Sequence, residues 1–269
     1  MIRSWSWPTT AILAVFLVGC GDGDGTGPES PMSTQVTLGF TVGSSAASVS
    51  AAQGAPSMSS TVAGLSISGS NGTLTITDVW LILAEFELEK VSGTCGLGAG
   101  LECHDFEALP SFLKLPLDGG VVTVATSDVP LGTYDELEFE VEDLEDDPED
   151  EHFAEIEALR STIQGEFPDW PDKASMLVVG TFVPAGGEAM DFRVYFDAEI
   201  EIELNLVPSL VVTEDGASRT LTVDVQPDMW FMLPDNNVMD LTQYDWGETG
   251  QLLEFDVELE HGFIDIEIG

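Results

Sequence analysis

Hydrophobic and polar residues alternate along most of this chain, and a period of two residues is typical of half-buried β-strands. The clearest example is 136–142, where Leu137, Phe139 and Val141 are separated by glutamates. Further strands are predicted at 36–42, 73–89, 121–126, 190–206 and 253–268. Turn-forming residues recur between them at intervals of about 8–12 residues, so we expect an all-β fold, an antiparallel β-sandwich.

Two of these segments lead to more specific predictions. Segment 73–89 reads as one long strand, because Leu74, Ile82 and Leu88 share one parity throughout. At the end of the chain, two alternating series flank His261-Gly262, which is a turn signal, and predict a C-terminal hairpin.

One helix is predicted, over 148–164. Asp147 can cap it, Pro148 suits its first turn, and the acids that follow favour the positive end of the helix dipole. Phe153, Ile156 and Ile163 have helical spacing, and Gly165 is expected to end the helix.

The N-terminus has the pattern of an export signal. Arg3 precedes an unbroken apolar run over 11–18, which is too short to cross a bilayer core, since a spanning helix takes about 20 residues. Such a run matches a secretory h-region. The alternative is a buried N-terminal strand.

Leu17-Val18-Gly19-Cys20 resembles the lipobox of bacterial lipoproteins. The resemblance implies a signal peptide over 1–19, cleavage before Cys20 and a diacylglycerol on the Cys20 sulfur. An ordinary signal peptide with an incidental cysteine is the alternative. Gly21, where an aspartate would favour retention at the inner membrane, implies the outer membrane by resemblance to Gram-negative lipoproteins.

Composition separates three regions of the chain. Residues 20–33 start with a Gly/Asp-rich run and predict a flexible tether. The β-sandwich domain is expected over 34–269, with a Ser/Ala/Gly-rich mobile loop at 43–61.

The two remaining cysteines predict a disulfide. Cys95 and Cys103 flank a glycine-rich loop that can fold back on itself, and an even pair in an exported protein is typically bonded. A metal site formed with His104 is the alternative.

Charge excludes two classes of partner. The chain has 49 Asp+Glu against 7 Lys+Arg, a formal net charge of −42, which repels nucleic-acid phosphates and anionic lipid headgroups. Membrane association is therefore expected through the lipid anchor only. The hydrophobic content of 43% excludes a disordered polyacid.

The densest acidic run suggests a cation site. Asp143, Asp146, Asp147 and Asp150 could supply oxygen ligands to Ca²⁺, although the EF-hand spacing is missing. The alternative is a solvated acidic surface.

Two loop tryptophans are candidates for ligand contact. Trp170 and Trp246 both lie beside aspartates, an arrangement on which sugar rings can stack. The alternative is that they plug the ends of the sandwich.

Catalytic residues are not predicted. The sequence contains no G-x-S-x-G or H-E-x-x-H motif, and paired carboxylates carry no information among so many acids. We expect the protein not to be an enzyme. A hydrolase whose triad is assembled only by folding is the least favoured alternative.

Several segments together resemble a known family. They are 77–81, 105–109, Val129-Pro130-Leu131-Gly132-Thr133-Tyr134 and 221–225 with Trp230-Phe231. Their succession is similar to exported bacterial lipoproteins of unknown function with a carbohydrate-binding-like or transthyretin-like sandwich. The resemblance implies the fold and the cell envelope, and it names no ligand.

The sequence as a whole favours a non-catalytic binding module anchored in the cell envelope, whose ligand is a glycan or a protein and whose binding can be assisted by calcium. A purely structural, acidic envelope component is the alternative.

Overall fold

Strands dominate the part of the chain that the computed structural model describes, which is residues 33–43, 64–91, 106–144, 148, 152–213, 217–255 and 263–268, with only the backbone for 255 and 263–268. These residues belong to one unit, Pro31–Gly269. In chain order the strands are β1 (Ser33–Val42), β2 (Leu65–Gly69), β3 (Gly72–Leu83), β4 (Glu85–Lys90), β5 (Phe106–Glu107), β6 (Ser111–Lys114), β7 (Val121–Pro130), β8 (Gly132–Val141), β9 (Met176–Pro184), β10 (Met190–Ala198), β11 (Ile200–Val212), β12 (Arg219–Val225), β13 (Leu253–Phe255) and β14 (Phe263–Ile268).

The strands form three sheets. Sheet A has the order β14-β12-β1-β7, and sheet C has the order β11-β8-β4-β5. Sheet B has the order β13-β10-β9-β3-β2, with β6 also paired to β3. Apolar side chains of all three sheets share one core, which includes Phe40, Phe139 and Phe196. The predicted all-β, sandwich-like fold is confirmed.

Pairing is mixed rather than purely antiparallel. Strand β1 runs parallel to β12, and β10 runs parallel to β13. The other strand pairs among the described residues are antiparallel, as expected. Alternation predicts that a segment is a strand but not the direction of its neighbour, because both directions bury the same face.

The predicted long strand over 73–89 is two strands in two sheets. It breaks at Ala84, so that β3 lies in sheet B and β4 in sheet C. The same change of sheet follows β7 at Leu131 and β10 at Glu199. Strands that change sheets form the corners of a sandwich. Most of sheet C is therefore built from continuations of strands in sheets A and B.

Buried polar contacts brace these corners. The buried Tyr134 donates its hydroxyl to the Pro130 carbonyl at 2.7 Å, across the corner at Leu131. Ser175, also fully buried, accepts the Ala198 N–H at 2.8 Å beside the corner at Glu199. A buried polar side chain without a hydrogen-bond partner would destabilise the fold. The hydrogen bonds of Tyr134 and Ser175 therefore fit a structural role.

A β-bulge between Ile76 and Asp78 changes which side chains of β3 face the main core. Ile76 lies in the main core, whereas Ile82 and Trp80 contact a second apolar cluster on the outer face of sheet B. These residues share one parity in the sequence, so the extra residue at the bulge is what places them on opposite faces.

The predicted C-terminal hairpin falls largely on 256–262, which lie outside the described residues, and it stays a prediction. Strand β13 pairs with β10 in sheet B, whereas β14 pairs with β12 in sheet A. The turn residues His261 and Gly262 lie outside the described residues. The described parts of the two segments therefore belong to different sheets, which a local turn signal does not predict.

The predicted helix exists but begins later. Helix α1 covers Phe153–Glu166, and its N-cap is His152 rather than Asp147. Ile156 and Ile163 are its buried residues, and the Arg160 guanidinium donates to the Leu144 carbonyl at 2.8 Å. Packing of the apolar stripe decides where the helix starts, since capping alone stabilises a short helix weakly.

The described part of the chain also has three short helical turns, namely α2 (Pro227–Trp230), a 3-10 turn (Leu241–Tyr244) and α3 (Trp246–Thr249). Among the described residues no helix is both long and apolar enough to span a membrane.

Candidate functional site

The outer face of sheet C is covered with glutamates. The strand register aligns Glu87 with Glu138 and with Glu107, and Glu138 in turn with Glu203. The next row aligns Glu140 with Glu85 and Glu201. We call this surface the glutamate face, and its members are Glu85, Glu87, Glu89, Glu107, Glu136, Glu138, Glu140, Glu201 and Glu203.

The opposite side of the same strands is apolar. Phe86, Leu137, Phe139 and Ile202 are buried against the main core. This strict division holds the glutamates in place, because shifting the register of one strand by a residue would turn its carboxylates into the core.

Crowding changes the protonation of the central carboxyl. Partial burial and the nearby charges of Glu201, Glu203 and Glu87 together raise the pKa of Glu138 to about 7, and burial is the largest of these causes. Burial and neighbouring carboxylates also raise the pKa values of Glu136 and Glu140. Loss of water contact disfavours the charged form of these carboxyls, and like charges directly opposite on adjacent strands add repulsion.

Three members of the glutamate face meet closely. One carboxylate oxygen from each of Glu138, Glu201 and Glu203 lies within 4.8 Å of the other two. Such oxygens are the ligands that hard cations take. Exposed acidic groups are also common without a cation, so the cluster alone does not identify a metal site.

The acids predicted to bind calcium are not shown as a group. Asp143 lies just after β8. Asp146, Asp147 and Asp150 lie outside the described residues. The acids that the structure does bring together come from β8 and β11, which are far apart in sequence. Their alternation was visible in the sequence, whereas the register that aligns them was not.

A second cluster is aromatic and lies between sheet B and helix α1. Trp80 stacks on Phe112 with their ring centroids 5.2 Å apart, and Phe167 meets both rings edge-on. The series continues through Trp170 to Tyr195, again edge-on at 5.3 Å. Such pairs add stabilisation beyond the area they bury.

Trp170 fills this cluster. Only 9% of its surface is exposed, and its indole N–H donates to the Ala174 carbonyl at 2.9 Å. Phe112, Phe167 and Tyr195 surround its ring. Trp170 therefore plugs the core, the second of the two interpretations of the loop tryptophans, and is not an open platform for a ligand.

Trp246 is placed differently. It is half-buried, and its ring meets that of Tyr195 edge-on at 5.2 Å. Beside it, the Arg193 guanidinium lies 5.6 Å from the centroid of the Tyr195 ring and forms an ion pair with Asp169. The Tyr195 hydroxyl also faces Asp169, at 3.4 Å. Aromatic and paired charged groups thus meet at the surface.

Burial dominates the titration of Tyr195. Its side chain is fully buried, which raises the pKa of the phenol; the nearby Arg193 charge opposes the rise and Asp169 adds to it, and the net pKa is about 12. Tyr195 therefore stays a neutral hydrogen-bond donor at physiological pH.

The cysteine predictions lie outside the described residues. This applies to the lipidation site Cys20 and to the disulfide expected between Cys95 and Cys103. Both stay predictions, as does the identification of 1–19 as a signal peptide.

No family model matches this chain, and no curated protein or solved structure matches it. The resemblance to exported lipoproteins of unknown function therefore stays a prediction.

Proposed function

We propose that this chain is a lipid-anchored protein of the bacterial cell envelope, placed in the outer membrane, whose β-sandwich is a non-catalytic binding module for a glycan or a protein. The observation that carries the proposal is Cys20 in Leu17-Val18-Gly19-Cys20, directly behind an apolar run and directly before a Gly/Asp-rich segment. Export, a lipid and a spacer would together hold a folded domain at a membrane surface.

The fold supports a binding role more than a catalytic one. The glutamate face is an extended charged surface on the outside of sheet C, and a separate surface at sheet B combines the half-buried Trp246 with the partly exposed Arg193 and Asp169. Surfaces of this kind suit contact with large ligands. The disulfide between Cys95 and Cys103 is part of the proposal, since an exported chain encounters oxidising conditions.

The anchor is tested with Cys20→Ala. We expect the wild-type chain to fractionate with the outer membrane and to incorporate a labelled fatty acid, and the variant to lose both properties. The matched control is the double variant Cys95→Ala/Cys103→Ala, which keeps Cys20 as its sole cysteine and is expected to stay lipidated. Retention of Cys20→Ala in the membrane would contradict the proposal.

A further inference from the structure

We propose that the surface formed by Asp169, Arg193 and Trp246 around Tyr195 is a binding subsite for a neutral glycan. We call it the Tyr195 patch. This inference rests on the proposed function, because it names the ligand class and the residues for a binding module at the cell envelope.

The Tyr195 patch is built before any ligand arrives. Three segments of the chain meet there, namely β10, the loop after α1 and the segment that begins α3. Asp245 accepts the backbone N–H of Arg193 at 2.8 Å, which ties the segment carrying Trp246 to β10. Trp170 packs beneath, edge-on to Tyr195. A rigid arrangement reduces the entropy lost on binding.

The groups at the patch match the chemistry of a sugar. The side chains of Arg193 and Asp169 are 41% and 45% exposed, so a ligand can reach both. The guanidinium supplies hydrogen-bond donors and the carboxylate supplies acceptors, which together suit neighbouring hydroxyl groups. The half-buried indole of Trp246 offers an apolar surface for the C–H face of a pyranose ring.

Charge indicates that this glycan is neutral. The positive charge of Arg193 is already paired with Asp169, and the chain carries 49 acidic residues against 7 basic ones. An anionic polymer would therefore be repelled by the net negative charge of the chain. A cationic partner would be drawn to the glutamate face, on a different sheet. A neutral glycan is not repelled by the negative charge of the chain and is not drawn to the glutamate face, so it is the ligand class that fits this patch.

The chain contains a matched control arrangement. Lys114 lies 5.4 Å from the centroid of the Trp80 ring and is ion-paired with Asp78 on the same outer face of sheet B. Lys114, Trp80 and Asp78 thus combine a cation, an aromatic ring and an acid as the Tyr195 patch does, but they lie on β3 and β6. Lys114→Gln therefore removes an equivalent charge away from the proposed subsite.

The test measures oligosaccharide binding by the full chain in detergent micelles, using isothermal titration. The probes are neutral gluco-, xylo-, manno- and N-acetylglucosamine oligomers, with oligouronates as the anionic comparison. We expect at least one neutral oligomer to bind. Trp246→Ala and Arg193→Gln should each weaken that binding by about tenfold or more, whereas Lys114→Gln should change it by less than about twofold.

Three results would overturn the inference: no neutral oligomer binds, only oligouronates bind, or both patch variants bind like the wild type. If Trp246→Ala does not fold, as judged by its melting curve, Asp169→Asn replaces it as an isosteric variant with the same expected loss. Fractionation with the membrane is scored separately. A chain that is anchored through Cys20 yet binds no neutral glycan would remove this inference and leave the anchoring intact.

Discussion

Glu138 has the most perturbed carboxyl on the glutamate face. Its pKa is about 7 in the folded chain against an ordinary 4.5, because burial and three neighbouring glutamates disfavour its charged form. Between these two pH values the folded state binds more protons than the unfolded state. Stability contributed by this group is therefore present at low pH and is lost as the pH rises from about 4.5 to about 7.

Replacing Glu138 by glutamine should relieve this repulsion. We expect Glu138→Gln to raise the free energy of unfolding by about 1 kcal/mol at about pH 8, after allowing for screening at a partly exposed site. At about pH 4 the gain should disappear, since the wild-type carboxyl is then protonated. Urea denaturation at both pH values measures the difference.

The control for this prediction is Glu188→Gln. Glu188 is exposed in the turn between β9 and β10, away from the glutamate face. An equal gain in both variants would mean that only the total charge matters and that the position of Glu138 does not.

Reading single residues from the sequence succeeded unevenly. Trp170 and Trp246 share the same sequence pattern, a tryptophan beside an aspartate. The structure nevertheless buries Trp170 and leaves Trp246 half-buried at the surface. The sequence did not predict that Arg193 pairs with Asp169, because the two residues lie 24 positions apart. Whether such residues meet depends on the packing of α1 and the following loop against sheet B, which no local pattern encodes.

At the scale of the elements, β9 depends on a glycine. It lies in the middle of sheet B, between β10 and β3. A Cβ atom at Gly180 would lie 2.2 Å from the Thr75 carbonyl oxygen and 2.8 Å from Cζ of Phe192. Both neighbours belong to paired strands, so neither can move away without disturbing the sheet.

Gly180→Ala is therefore expected to destabilise the fold. Overpacking of this kind typically costs about 1–3 kcal/mol, and we expect the upper part of that range because backbone is involved. The control is Gly165→Ala in α1, where a Cβ atom has nothing within 4 Å. That variant should be neutral or more stable by up to about 1 kcal/mol. Equal melting temperatures for the two variants would refute the argument.

Alternation identified most of the strands but neither their limits nor their partners. The break at Ala84 and the bulge after Ile76 both lie inside a series with unbroken parity. The pattern reports only whether a side chain is buried, and corner strands stay buried as they pass from one sheet to the next. The features that the sequence did not predict are therefore the places where side chains stay buried while the strand changes its direction or its sheet.

At the scale of the whole molecule, electrostatic repulsion is the dominant feature. A net charge of −42 lies on one chain, and sheet C aligns glutamates directly across its strands. Exposed like charges repel over roughly the Debye length, which falls from about 30 Å at 0.01 M salt to about 8 Å at 0.15 M. Added salt should therefore favour the folded state.

We expect the melting temperature of the full chain to rise by several degrees between about 0.01 M and 0.15 M NaCl. KCl at the same ionic strength should act equally, because screening depends on ionic strength and not on the identity of the ion. Glu138→Gln should respond less. A melting temperature that is insensitive to NaCl would show that the aligned carboxylates do not limit stability. A larger shift with CaCl₂ at matched ionic strength would indicate bound Ca²⁺.

The sequence by itself determined the class of the fold, the acidic character and the strands with one apolar face, because period-two alternation and composition are local properties that every strand must show wherever it lies. Only the tertiary structure decided the parallel pairs, the corners and the meeting of Arg193 with Asp169. These depend on register and packing between distant segments, whose free energy exists only once the sheets have assembled.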